Sequence, residues 1–132
     1  MDLEILKIAS YTENHKILSN YTHKSKLKNS LCGDEMQISL KVEKDEIINF
    51  GYECKSCIYC QASASTLSRV SINKSLNKII ELINLVYNFS DYSELKFPKE
   101  WKDFKILFNK KNFPRKECIL LPFKTLSKAI KY

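Results

Sequence analysis

No apolar run in this chain approaches the roughly 20 residues that a bilayer-spanning helix needs; CILLPF at 118–123 is among its longest. No membrane association is expected. The opening stretch MDLEILKIAS carries Asp2 and Glu4 where a secretory leader carries Lys or Arg, and no small-residue cleavage site follows. A cytoplasmic protein is the expectation. There is no internal repeat and no domain-sized linker in the 132 residues, so 1–132 reads as a single domain. The five cysteines are an odd count, which in a reducing compartment argues against a complete disulfide framework and for metal or thiol chemistry. The net charge of +7 comes from scattered lysines without a recognition motif, so no nucleic-acid partner is expected.

What is there has the balance of a soluble globular protein, with 44% apolar and 28% charged residues. Leu3, Ile5, Leu6, Ile8 and Ala9 recur at near-helical spacing and predict an N-terminal helix within 3–18. SNYTHKSKLKNS, which follows, reads equally well as loop or edge strand. In MQISLKV, Met36, Ile38, Leu40 and Val42 alternate with polar residues, as a half-buried strand requires. After a turn around Lys44 and Asp45, EIINFGY supplies a second strand with Ile48, Phe50 and Tyr52 on one face, completing an antiparallel hairpin. From Cys57 an Ala- and Ser-rich helix is expected to pack closely through small side chains. Leu76, Ile79, Ile80, Ile83, Val86 and Tyr87 mark an amphipathic helix. Pro98 precedes another, with Trp101, Phe104, Leu107 and Phe108 at helical intervals, and Pro122 is expected to open the last. The class is α+β, a small antiparallel sheet with helices packed on one face.

Cys54, Cys57 and Cys60 form CxxCxxC, but a ferredoxin-type loop needs a fourth cysteine followed by proline, and Ala64 and Ser65 stand there instead. A closed four-thiolate zinc site takes paired CxxC knuckles, and Cys32 and Cys118 each lack a near partner. What remains is an open site assembled from separate segments: Cys32 before the first clear strand, Cys57 at a helix start, Cys118 in a loop before the last helix. A thiol at a helix N-terminus is favoured as thiolate. In CGD, Gly33 permits close backbone approach and Asp34 offers a hard carboxylate beside the soft sulfur of Cys32. Any single cysteine can instead be a small buried hydrophobe.

The segments NSLCGDEMQISLKV, CIYCQASAS and RKECILLPFKTLSKAI resemble the IscU, SufU and NifU N-terminal family of iron-sulfur cluster assembly scaffolds. SYTENHKIL is similar, more faintly, to that family's N-terminal helix and Asn-Pro turn, with His15 in the proline's place. The resemblance implies a small antiparallel sheet with helices on one side and a ligand set of Cys32, Asp34, Cys57 and Cys118. It implies that this set binds zinc, iron or a nascent [2Fe-2S] cluster, and that Cys32 accepts persulfide sulfur from a cysteine desulfurase. Apo iron-sulfur proteins would then be the recipients, and the role would be that of a scaffold rather than an enzyme. The segment SDYSELKFPKEWKDFKILFNKKNF is similar to the insertion typical of the SufU branch, and Arg115 also resembles that branch. Glu117 stands where IscU proteins carry histidine, which favours Asp34 as the fourth ligand. Cys54 and Cys60 are candidate auxiliary thiols, and the LPPVK motif of IscU is absent. The alternative is a SufU-like zinc protein that relays sulfur without holding a cluster.

Overall fold

The computed structural model describes residues 2–30, 33–90 and 95–132. Its centre is the hairpin that the alternating pattern predicts. β2 (Glu35–Glu43) buries Met36, Ile38 and Leu40 because successive strand side chains point to opposite faces. The chain reverses at Lys44 and Asp45, whose φ values of 52° and 60° supply the twist that a two-residue turn between antiparallel strands demands. It returns as β3 (Glu46–Lys55).

On β3 the expected inward set of Ile48, Phe50 and Tyr52 needs correction. Pairing steps from Lys41 opposite Asn49 to Val42 opposite Ile47, so Ile48 is an extra residue in the ladder. Such a bulge shifts the alternation by one. Ile47, Phe50 and Tyr52 are therefore buried, while Ile48 is exposed.

The undecided segment after the first helix forms β1 (His23–Lys28), which pairs antiparallel with β2 and makes the sheet order β1-β2-β3. On the opposite edge, the Tyr52 amide donates to the Asn14 carbonyl at 3.0 Å. The chain then crosses the outer face, where the Leu18 amide donates to Ser39 Oγ at 3.1 Å and buries that hydroxyl. Gly51, paired with Ser39, lies directly beneath the Lys16 carbonyl.

Helices α2 (Ile58–Ser71) and α4 (Lys116–Ala129) pack on the other face of the sheet and on each other. Ala62, Ser63, Ala64 and Ser65 are buried in α2, and small side chains let the backbones approach closely. Ser63 Oγ donates to the Ile119 carbonyl at 2.7 Å, tying the two helices together, and Ser25 Oγ donates to the Thr125 carbonyl, tying α4 to β1. α1 (Leu3–Ala9) packs on α2 and is shorter than its apolar pattern allows. Only Ile5 and Ala9 are buried in it, and Ser65 Oγ donates to the Tyr11 carbonyl just beyond its end.

α3 (Leu76–Val86), capped by Ser75, buries Ile79, Leu82, Ile83 and Val86. The face is rotated from the expected one, since Leu82 replaces the half-buried Ile80 and Tyr87 is exposed. Trp101, Phe104, Leu107 and Phe108 are buried as their spacing predicts, yet they sit on and after a 3₁₀ turn (Lys99–Phe104) instead of an α-helix. A second 3₁₀ turn spans Lys110–Arg115. Packing of Phe104 and Phe108 against Phe123, at 5.5 and 5.6 Å between ring centroids, holds the segment without a continuous helical ladder.

The last helix begins at Lys116, so Pro122 lies inside it and does not open it. Proline removes one rung and bends a helix. The Ser63 hydroxyl bond to Ile119 falls beside that rung. Cys118 consequently sits in the first turn of α4, not in the preceding loop.

Candidate metal and sulfur site

Three chain segments end at one corner of the molecule. Between β1 and β2 the Asn29 amide donates to the Asp34 carbonyl and the Gly33 amide donates to the Asn29 carbonyl, both at 2.8 Å. Gly33 has a φ of 76°, a left-handed conformation that glycine adopts readily. These bonds and that conformation place Asp34, 7% exposed, just before the start of β2. β3 ends at Lys55, and two residues later Cys57 occupies the N-cap position of α2 without making a side-chain capping bond. Cys118, nearly buried, comes from the first turn of α4.

A carboxylate oxygen of Asp34 and the sulfurs of Cys57 and Cys118 all lie within 4.8 Å of one another. Both helices direct their N-terminal ends, the positive end of the helix dipole, toward this cluster. Asp34 Oδ2 is buried and has no hydrogen-bond partner. An unsatisfied buried polar atom is costly, and a cation is the partner that removes the penalty. Two thiolates and a carboxylate suit zinc or iron, which take sulfur at about 2.3 Å and oxygen at about 2.0–2.2 Å in the zinc case. The residues present therefore fit such an ion, and among the described residues three donors converge on it. Cys32, the expected sulfur acceptor, lies outside the described residues.

Cys54 and Cys60 do not join this group. Cys54 pairs with Met36 on the helix-covered face of the sheet and is half-buried, and Cys60 is fully buried in α2. Burial pushes both thiols up from their ordinary range, opposed by the Ser56 hydroxyl and reinforced by the charge of Asp34. That hydroxyl makes no well-aligned hydrogen bond, so its opposing effect is weak. Both sulfurs are thereby held as neutral thiols close to the candidate ligands.

Arg115 lies over the Tyr59 ring at 5.3 Å from guanidinium carbon to centroid. The contact joins the entry of α4 to the first turn of α2, between the segments that carry Cys118 and Cys57. Glu117 pairs with Lys124 at 3.0 Å, and its carboxylate is not part of the donor group. Of the basic residues flanking the site in sequence, Lys111 pairs with Asp2 at 3.2 Å and Lys116 lies over Phe113. Lys102 and Lys105 line a separate cleft. Sequence reasoning did not single out Tyr59. The aromatic at Tyr59 and the positive charge at Arg115 are individually unremarkable, and only the approach of the two helix starts connects them.

The fold and this donor set define a small α+β protein in which two cysteines and a carboxylate from three segments form one cluster. Residues 7–107 match the NifU-like N terminal domain family, and the chain belongs to that family. It is 33% identical to the iron-sulfur cluster assembly scaffold protein IscU of Thermotoga maritima, over 79% of this chain and 73% of that protein. It is 23% identical to the zinc-dependent sulfurtransferase SufU of Bacillus subtilis, over 79% of this chain and 71% of that one. In fold it is similar to the N-terminal part of a nitrogen-fixing NifU-like protein from Brucella abortus. That crystal structure matches with a TM-score of 0.87 at 22% identity, over 98% of this chain and 91% of that one. Among the described residues no helix is long and apolar enough to cross a membrane.

Proposed function

We propose that this chain is an iron-sulfur cluster assembly scaffold: Cys32 accepts sulfur from a cysteine desulfurase, and Asp34, Cys57 and Cys118 complete the site that holds iron or a nascent [2Fe-2S] cluster for transfer to apo-proteins. The observation that carries this reading is the convergence of three soft and hard donors from three segments within 4.8 Å, with one carboxylate oxygen buried and unsatisfied. Membership of the NifU-like family supports it. In the sulfur step, a Cys32 thiolate attacks the outer sulfur of a desulfurase persulfide, and the desulfurase cysteine leaves as thiolate. No net oxidation occurs in that exchange, and the chain acts as carrier rather than enzyme. A reducing cytosol keeps such thiols available.

A second reading is a zinc-bound sulfur relay of the kind named for the Bacillus subtilis relative. The donor group, which contains no imidazole, and the engagement of Glu117 with Lys124 favour keeping it open. Anaerobic incubation of the zinc-free chain with iron, cysteine and a desulfurase separates the two. The scaffold reading expects visible absorption from a protein-bound cluster that transfers to an apo-ferredoxin. Desulfurase stimulation that requires bound zinc, with no cluster formed, would select the relay.

A further inference from the structure

A cleft of about 600 Å³ lies between α1, α2 and the 3₁₀ turn Lys99–Phe104, and none of Asp34, Cys57 or Cys118 lines it. Thr66, which does, is nine residues beyond Cys57 on α2, roughly 13 Å along the helix axis. The volume falls in the range of about 300–1,000 Å³ typical of small-molecule sites.

Its polar lining is unfinished in a particular way. Thr66 is 1% exposed, yet its Oγ1 has no hydrogen-bond partner. Arg69, one turn further on the same helix face, has a buried Nε that is also unpaired. Its guanidinium lies over the Tyr11 ring at 5.1 Å and makes no ion pair among the described residues. Asn109 also lines the cleft, but its Nδ2 already donates to the Ile106 carbonyl at 2.8 Å and its buried Oδ1 is an acceptor, so it takes no part in holding an anion. Most buried polar groups find partners, and here two donors without one border a single cleft.

We propose that this cleft binds a small monoanionic carboxylate with an apolar body. The guanidinium edge and the Thr66 hydroxyl are donors suited to a carboxylate. Lys102 and Lys105 add two further cations, against the carboxylates of Glu4 and Asp103. Three cations against two anions match one negative charge and disfavour a dianionic phosphate. Ile8, Ile106 and Phe108 supply apolar walls for the remainder of the ligand. This site is independent of the metal and sulfur chemistry proposed above.

The test is a titration of the full chain, labelled with nitrogen-15, with benzoate, its neutral isostere benzamide, and inorganic phosphate, following backbone amide shifts. Benzoate is expected to give saturable shifts at Thr66, Arg69 and Asn109 with a dissociation constant of about 1 mM or tighter, within the range for a fragment of this size. Benzamide and phosphate are expected to bind at least about tenfold more weakly, and Arg69→Gln to weaken benzoate by a similar factor. Thr66→Val, close in shape, serves as a second variant and is expected to weaken benzoate too. Absence of saturation with benzoate, equal binding of benzamide or phosphate, or unchanged affinity in both variants would overturn the proposal.

Discussion

The Asp34 carboxylate and the Cys118 sulfur approach within 4.8 Å, although one enters at the start of β2 and the other in the first turn of α4. The contact exists because Ser63 ties α4 to α2 and because α4 begins six residues before Pro122. The metal-free protein carries an unsatisfied buried carboxylate oxygen as the consequence. Asp34→Ala is therefore expected to leave the metal-free chain equally stable or to stabilise it by about 1 kcal/mol, since it removes an unpaired polar atom. The same change is expected to lower zinc affinity at least about tenfold and to abolish most of the thermal stabilisation that zinc confers. Paired thermal melts with and without zinc check both halves.

Cys54 and Cys60 are expected to behave as packing residues and not as ligands. Cys60 is fully buried, so Cys60→Ser places a hydroxyl where a weakly polar thiol packs and is expected to cost about 1–3 kcal/mol. Cys54→Ser is expected to cost under about 1 kcal/mol at its half-buried position. Zinc stoichiometry is expected to be unchanged in both, and loss of zinc from either variant in its folded state would contradict the assignment.

The Tyr52 hydroxyl sets an alkaline limit. Burial pushes its pKa up to about 12 from the ordinary phenol value near 10. In the unfolded chain the phenol ionises near 10, so above that pH the unfolded state loses a proton that the folded state keeps. Stability therefore falls as pH rises from about 10 to about 12, by at most roughly 3 kcal/mol from this group. Tyr52→Phe is expected to show a shallower decline over that window in denaturant titrations, with no change of slope below pH 9.

The two glycines respond differently to alanine. At Gly51 a Cβ would run into the Lys16 carbonyl, so Gly51→Ala must displace the strap across the outer face of the sheet and is expected to cost about 1–3 kcal/mol. At Gly33 there is open space, and only the left-handed backbone opposes the change, at about 1–2 kcal/mol. Gly33→Ala is also expected to weaken zinc binding, because that backbone conformation places Asp34. Equilibrium unfolding of both variants, beside zinc titration, checks the contrast.

The hairpin and the buried aromatic positions were legible because each rests on a local signal, alternation or helical recurrence. The errors arose where a long-range contact overrides a local pattern. Ile48 alternates correctly in isolation, but the bulge opposite Lys41 and Val42 turns it to solvent. Pro122 reads as a helix start, yet α4 extends through it because its neighbours on both sides are buried against α2 and the sheet. Trp101 and Phe104 keep their core positions in a 3₁₀ turn because burial of the side chains, with Phe104 packed against Phe123, and not backbone propensity, fixes them. The ligand set came from resemblance. Spacing alone left Cys54 and Cys60 as eligible as Cys57, and among the described residues the fold groups only Cys57 of the three with Asp34 and Cys118.

The most direct measurement is zinc K-edge X-ray absorption on the zinc-loaded chain, compared with Cys57→Ser and Cys118→Ser. The account predicts one zinc per chain with sulfur at about 2.3 Å and an oxygen near 2.0 Å, and one fewer sulfur in each variant. A coordination shell without sulfur, or one unchanged by either substitution, would contradict it.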